Sequence, residues 1–211
     1  MKAFKKVMSY IPLISNGTKL TISVCLSLFA LTMAFHYFTI PAWICFIAML
    51  FSTVGDIALN CKPHDLRPHS YLYVGAGFFM LAYITYAIAF GIMIRNSEKS
   101  YFNIGSLIAI IFIIILCIGS IICVANAKEK LPKKMIIVFG IYVIIIGINF
   151  ITISSYSWIY GSIATIGALS FLISDLIIGI ENVFKIKSDI LRKLVWIFYP
   201  IGQFIILACN K

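Results

Sequence analysis

Apolar stretches of roughly 17 to 25 residues, the length an α-helix needs to cross a bilayer, take up nearly all of this chain. Short clusters of charge separate them. Within hydrocarbon each backbone N–H and C=O must find its partner inside the segment, and a helix achieves that. The 211 residues are 62% hydrophobic and 11% charged, against about 25% charged in soluble domains, which excludes a soluble protein. The sequence therefore predicts an all-α, multi-pass transmembrane helical bundle of about seven spans, a single integral membrane domain over residues 1–211. The spans are expected at about 18–36, 40–60, 71–95, 102–126, 135–153, 156–180 and 191–209. Pro41 stands just inside the second, Pro63 and Pro68 in the loop after it, and Pro132 before the fifth, all positions where proline suits a helix start or a turn. Residues 1–17, with Lys2, Lys5 and Lys6 followed by a short run that Pro12 interrupts, read as an interfacial segment rather than a signal peptide.

Seven spans place the two ends on opposite sides. The side of the N-terminus then holds Lys2, Lys5, Lys6, Lys19, Lys62, Arg67, Lys128, Lys130, Lys133, Lys134, Lys185, Lys187, Arg192 and Lys193. The other side holds only Arg95, Lys99 and Lys211, and together they account for all 17 Lys and Arg. Basic residues gather on the cytoplasmic side of membrane proteins. The expectation is a cytoplasmic N-terminus, an outer C-terminus and residence in the cell membrane. The net charge of +10 sits in these short loops, where it sets topology and meets anionic lipid, so nucleic acid is not an expected partner. The six cysteines show no CxxC pair and read as small apolar residues.

Two acids break the apolar pattern. Asp56 lies in the second span and Asp175 in the sixth. A carboxylate at the centre of a spanning helix costs about 2.5 to 3.5 kcal/mol on insertion scales, so an acid kept there marks a candidate site. Both spans run toward the cytoplasm, with the acids roughly 6 and 9 Å short of their ends at 1.5 Å per residue. Ser52, Asp56 and Asn60 form a polar stripe at i, i+4, i+8; Gly161, Ala164, Ala168, Phe171 and Asp175 share a face of small residues fit for close helix contact. Phe79, Tyr83, Tyr86 and Phe90 form an aromatic stripe on the third span. Gln203 follows Pro200, a position where a kink is expected. Structural roles compete with these: Asp56 pairing with Lys19, Asp175 in a network with Glu181 and Lys185, and the tyrosines as packing. Cys61, His64 and His69 fall short of zinc's usual four ligands with only Asp65 nearby, and His36 at the outer face places no histidine beside a buried serine. No metal or cofactor is expected.

The string from Phe51 to Asp56 resembles the S-x-x-G-D motif of the YhhN-like lysoplasmalogenase family, and Gly167 to Asp175 resembles its G-A-x-x-F-x-x-S-D signature. Phe79 to Tyr86 is similar to F-x-x-x-H-x-x-Y, Tyr199 to Gln203 to Y-x-x-x-Q, and Lys19 to a lysine that opens an early helix. The matches run in family order from Lys19 to the C-terminus. Tyr83 stands where the motif has histidine and Leu20 where proline usually follows the lysine, and the chain has one span fewer than members commonly carry.

The resemblance implies hydrolysis of the vinyl ether bond of lysoplasmalogens to a fatty aldehyde and a glycerophospho-ethanolamine or -choline. That reaction needs an acid to protonate the alkene, an anion beside the oxocarbenium ion, and water. Two neighbouring carboxyls in a partly dry site tend to share one proton, because like charges oppose double ionisation, and so supply acid and anion together, as in glycosidases. Asp56 and Asp175 are the expected catalytic pair, with Asp175 the favoured acid because its helix is more apolar. Lys19, Ser52, Asn60, Tyr83, Tyr86, Ser174, Tyr199 and Gln203 are the expected substrate-binding residues, Lys19 toward the headgroup phosphate. Expected partners are the lysophospholipid and membrane lipids, with a homodimer left open. Other functions fit buried acids too: a proton-coupled transporter, although no inverted repeat is seen, a non-catalytic lipid-binding protein, or a metal-dependent lipid hydrolase, which wants membrane histidines that are not here.

Overall fold

A computed structural model describes residues 15–60, 70–125, 132–184 and 188–210. These residues form seven helices and no strand: α1 Asn16–Tyr37, α2 Ile40–Asn60, α3 Ser70–Asn96, α4 Ile104–Ala125, α5 Lys133–Tyr160, α6 Ala164–Val183 and α7 Asp189–Ala208. All seven are long and apolar enough to cross a membrane.

The helix ends follow local chemistry. Ser15 accepts from the Thr18 N–H at 3.1 Å, capping α1, and Phe38 closes the same helix in the left-handed region with its N–H on the Ala34 carbonyl. Residues 15–17, expected in the interfacial segment, thus cap and open α1; residues 1–14 lie outside the described residues. Asn103 and Ser106 satisfy each other's backbone N–H at 3.1 and 2.9 Å, a reciprocal cap that starts α4. Ser188 caps α7, with Asp189 in the first turn where the helix dipole favours an acid.

One expected boundary is wrong. The break expected after residue 153 does not occur; α5 continues to Tyr160 and the chain turns at Gly161, whose φ of 60° suits glycine. Thr152 and Ser155, on either side of the expected break, are held in the helix. Ser155 Oγ donates to the Tyr101 carbonyl at 2.7 Å and accepts from Asn103 Nδ2 at 2.8 Å, while Tyr101 and Thr152 hydroxyls pair. Their polarity fastens the α3–α4 connection to α5. Gly161 consequently caps α5 and does not belong to the face of α6 that carries Ala164, Ala168, Phe171 and Asp175.

The principal helix contacts run α1–α2–α3–α5–α6–α7, and α7 returns to α1, which closes a ring of six. Helix α4 packs on the outside of α5. It is the most hydropathic span and the least buried, with Leu107, Ile111, Ile114 and Ile118 exposed, as expected of a helix facing lipid on most sides. The buried polar residues Ser23, Ser52, Asp56, Asp175 and Gln203 lie on the ring helices.

Candidate active site

Two close helix crossings fix the site. A Cβ on Gly55 would lie 3.0 Å from the Phe79 ring and 3.3 Å from the Gly75 carbonyl, so α2 and α3 meet beside Asp56. A Cβ on Gly202 would lie 2.6 Å from the Phe171 nitrogen and 2.8 Å from the Gly167 carbonyl, so α6 and α7 touch through their backbones. Small residues permit such approaches where lipid supplies no hydrophobic drive toward association. Both motif glycines therefore act as spacers: Gly55 for the S-x-x-G-D string, Gly167 for the string that ends at Asp175.

Asp56 is buried at 4% exposure. Its Oδ2 accepts from Ser23 Oγ on α1 at 2.5 Å and from the Tyr199 hydroxyl on α7 at 2.7 Å. One turn back on α2, Ser52 Oγ accepts from Gln203 Nε2 at 3.0 Å, and Gln203 Oε1 accepts from the Tyr86 hydroxyl at 2.7 Å. Four helices thus supply two neighbouring polar sets in which every buried group named has a partner, the condition under which such groups are stable in a dry interior.

Asp175 is buried at 8% exposure. Its Oδ2 accepts from the Tyr83 hydroxyl on α3 and the Tyr142 hydroxyl on α5, both at 2.6 Å. Between the two acids stands Phe171, stacked on Tyr83 at 4.5 Å between centroids and set edge-on to Tyr199 at 5.5 Å. Phe79 completes this aromatic wall, 6.3 Å from Phe171 and 6.1 Å from Tyr199. The carboxyls lie within electrostatic reach of each other, but no hydrogen bond joins them. The direct pairing expected from the sequence is replaced by two carboxylates, each held by its own hydroxyls, on either side of Phe171.

Asp175 also lines a cavity of about 110 Å³ framed chiefly by α3, α5 and α6, with Leu59 of α2 also in its lining. Phe79, Phe139, Ile146, Leu176 and Gly179 form much of an apolar wall, and Tyr73 and Tyr142 add the phenols. A carboxyl in such a wall is placed to meet the polar joint of an otherwise apolar ligand.

The structure brings together most of the residues expected from the sequence: Asp56, Asp175, Ser52, Tyr83, Tyr86, Tyr199 and Gln203. Asn60 is turned elsewhere: its Nδ2 donates to the Asp56 backbone carbonyl at 2.7 Å, within its own helix. Ser174 Oγ donates to the Phe171 carbonyl at 2.6 Å and lies within hydrogen-bonding reach of the Asp175 carboxyl. The Lys19 ammonium lies 5.4 Å from the Trp196 ring centroid, on the Tyr199 side of the wall and within electrostatic reach of Asp56. Ser23 and Tyr142 escaped the sequence reading. Ser23 sits one turn beyond Lys19, with Ser27 a turn further, a small polar stripe on α1. Tyr142 is a lone phenol in an isoleucine-rich run, and no local pattern marks it. Cys61, His64 and His69 lie outside the described residues, and among the described residues no group of three His, Cys, Asp or Glu is placed to hold a metal.

A family model described as the YhhN family matches residues 14–210. No curated protein and no solved structure matches the chain.

Proposed function

Because the chain belongs to the YhhN family, and its Asp175 stands in the wall of an apolar cavity, we propose that it is a hydrolase of the vinyl ether bond of lysoplasmalogens, acting in the cell membrane. The observation that carries this is the state of the Asp175 carboxyl. Oδ2 accepts both phenolic hydrogen bonds, so a proton on Asp175 belongs on Oδ1.

The chemistry follows from that placement. Asp175 transfers its proton to the alkene carbon remote from the ether oxygen, and the adjoining carbon and oxygen become an oxocarbenium ion. The carboxylate left behind is the nearest anion to that cation. Tyr83 and Tyr142 hold it in place. Asp56 lies farther off, across Phe171. Water adds to the cationic carbon and gives its proton to Asp175, which restores the acid. The hemiacetal then collapses to a fatty aldehyde and a glycerophospho-alcohol. One water is consumed and no oxidant is needed. The strong excess of basic residues on the loops at this end of the bundle supports an inner-leaflet site and a cytoplasmic N-terminus; a reporter fused after Lys211 that read out on the cytoplasmic side would reverse that orientation.

The test is direct. Purified protein given lysoplasmenylethanolamine in D2O should release aldehyde carrying one deuterium on the carbon next to the carbonyl. Asp175→Asn should lower the rate by about 10²- to 10⁴-fold, the usual worth of a positioned general acid, and Asp56→Asn should lower it less, with both proteins still folded. Aldehyde release unchanged by both substitutions would refute the assignment.

A further inference from the structure

We propose that Lys134 is the residue that binds the headgroup phosphate, and that the occupant of the α3–α5–α6 cavity is a single-chain phospholipid entering past it. This rests on the function proposed above for its substrate class, but its geometry is independent of the chemistry.

The Lys134 ammonium lies 5.3 Å from the centroid of the Tyr73 ring, and Tyr73 lines the cavity that contains Asp175. Both residues stand in the first turns of their helices, α3 from Ser70 and α5 from Lys133, at the same end of the bundle. A cation is thus fixed by an aromatic face at the rim of an apolar cavity. Lys134 is exposed, so it keeps its charge in contact with the aqueous boundary, where a phosphate sits.

Depth supports the same ligand. Lys134 and Tyr142 lie eight residues apart on α5, about 12 Å at 1.5 Å per residue. Tyr142 is hydrogen-bonded to Asp175. A lysine arm and a glycerol-phosphate unit laid end to end span that gap, which sets the first linkage of the chain beside the carboxyl. Beyond it the cavity continues to Val143 and Ile146, apolar residues suited to the hydrocarbon tail. Lys19, the lysine singled out from sequence, is on the other side of the aromatic wall. Its helix α1 packs chiefly on α2 and α7 and contributes no residue to the lining of the cavity, which is framed chiefly by α3, α5 and α6.

The test separates binding from turnover. The binding probe is a saturated alkyl-ether lysophosphoethanolamine, which has no vinyl group to hydrolyse, titrated into wild type, Lys134→Gln and Lys134→Arg in detergent. Lys134→Gln should bind about tenfold more weakly, the effect of one charge-assisted contact, and Lys134→Arg should keep most of the affinity. The phosphate-free alkylglycerol should bind all three proteins alike. Equal affinity of wild type and Lys134→Gln for the lysophospholipid overturns the inference. So does competition by inorganic phosphate at equal concentration, which would mark a site for the free anion. Turnover of the vinyl-ether lipid is read in parallel. A tenfold binding loss without any aldehyde from wild type keeps Lys134 and defeats the hydrolase; aldehyde release with unchanged binding does the reverse.

Discussion

The contact between α6 and α7 can be tested at one atom. Gly202→Ala adds a Cβ 2.6 Å from the Phe171 nitrogen, 2.8 Å from the Gly167 carbonyl and 3.0 Å from the Phe171 Cβ. The first two are backbone atoms and cannot rotate away. Ordinary contact begins at 3.4 Å, so α7 must retreat by about 0.8 Å at this level, the difference between 3.4 and 2.6 Å. Overpacking of this kind costs about 1–3 kcal/mol. Alanine also favours a helix over glycine by up to about 1 kcal/mol, which would mask part of the loss. Gly140→Ala removes that ambiguity. Gly140 lies within α5 and its added Cβ meets nothing within 4 Å, so it reports the propensity gain alone. Thermal unfolding in detergent should place Gly202→Ala on the order of 5 °C below Gly140→Ala. Activity should fall further than stability. Gly202 lies between Gln203, which bonds Ser52 and Tyr86, and Tyr199, which bonds Asp56; a displacement approaching 1 Å can cost a reaction about 100-fold. A Gly202→Ala protein that melts with Gly140→Ala and releases aldehyde at the wild-type rate would show that the crossing does not set the site.

Gln203→Leu should leave the Tyr86 hydroxyl and Ser52 Oγ without their shared buried partner, at about 1–3 kcal/mol. Adding Tyr86→Phe and Ser52→Ala should recover much of that in the same melting measurement, since the stranded groups are then gone. Tyr142→Phe removes one of the two donors to Asp175 and keeps the ring. Hydrogen bonds to charged groups are worth about 1.5–3 kcal/mol, so aldehyde release should drop roughly ten- to hundredfold, and a double variant with Tyr83→Phe should drop below either single one. Wild-type turnover in the double variant would remove the phenols from the mechanism.

The spans were legible because a bilayer imposes a length and a composition on each segment by itself. The break misplaced after residue 153 shows the limit of that logic. The partners that hold Ser155 in the helix are Tyr101 and Asn103, some 50 positions earlier. The acids were legible for the opposite reason: an ionisable group in an apolar run contradicts its surroundings, whatever the fold. Ser23 was not, because a hydroxyl on a spanning helix is cheap and common, and only the short bond to Asp56 gives it a role. Tyr83 was marked as a departure from the family motif, yet it donates to Asp175 and so keeps a polar link at that position.

Sequence alone determined that the chain crosses a membrane about seven times, that its basic residues gather on one set of loops, and that Asp56 and Asp175 are exceptional. Each follows from how single segments partition between water and lipid. Tertiary structure decided that α1 closes the ring on α7, that Phe171 stands between the acids, that Tyr142 reaches Asp175, and that Lys134 rather than Lys19 borders the cavity. Once inserted, a helix gains nothing from apolarity in choosing its neighbours, since the lipid is equally apolar. Close packing at glycines and a few buried hydrogen bonds make that choice, and both depend on residues distant in the chain that no local pattern connects.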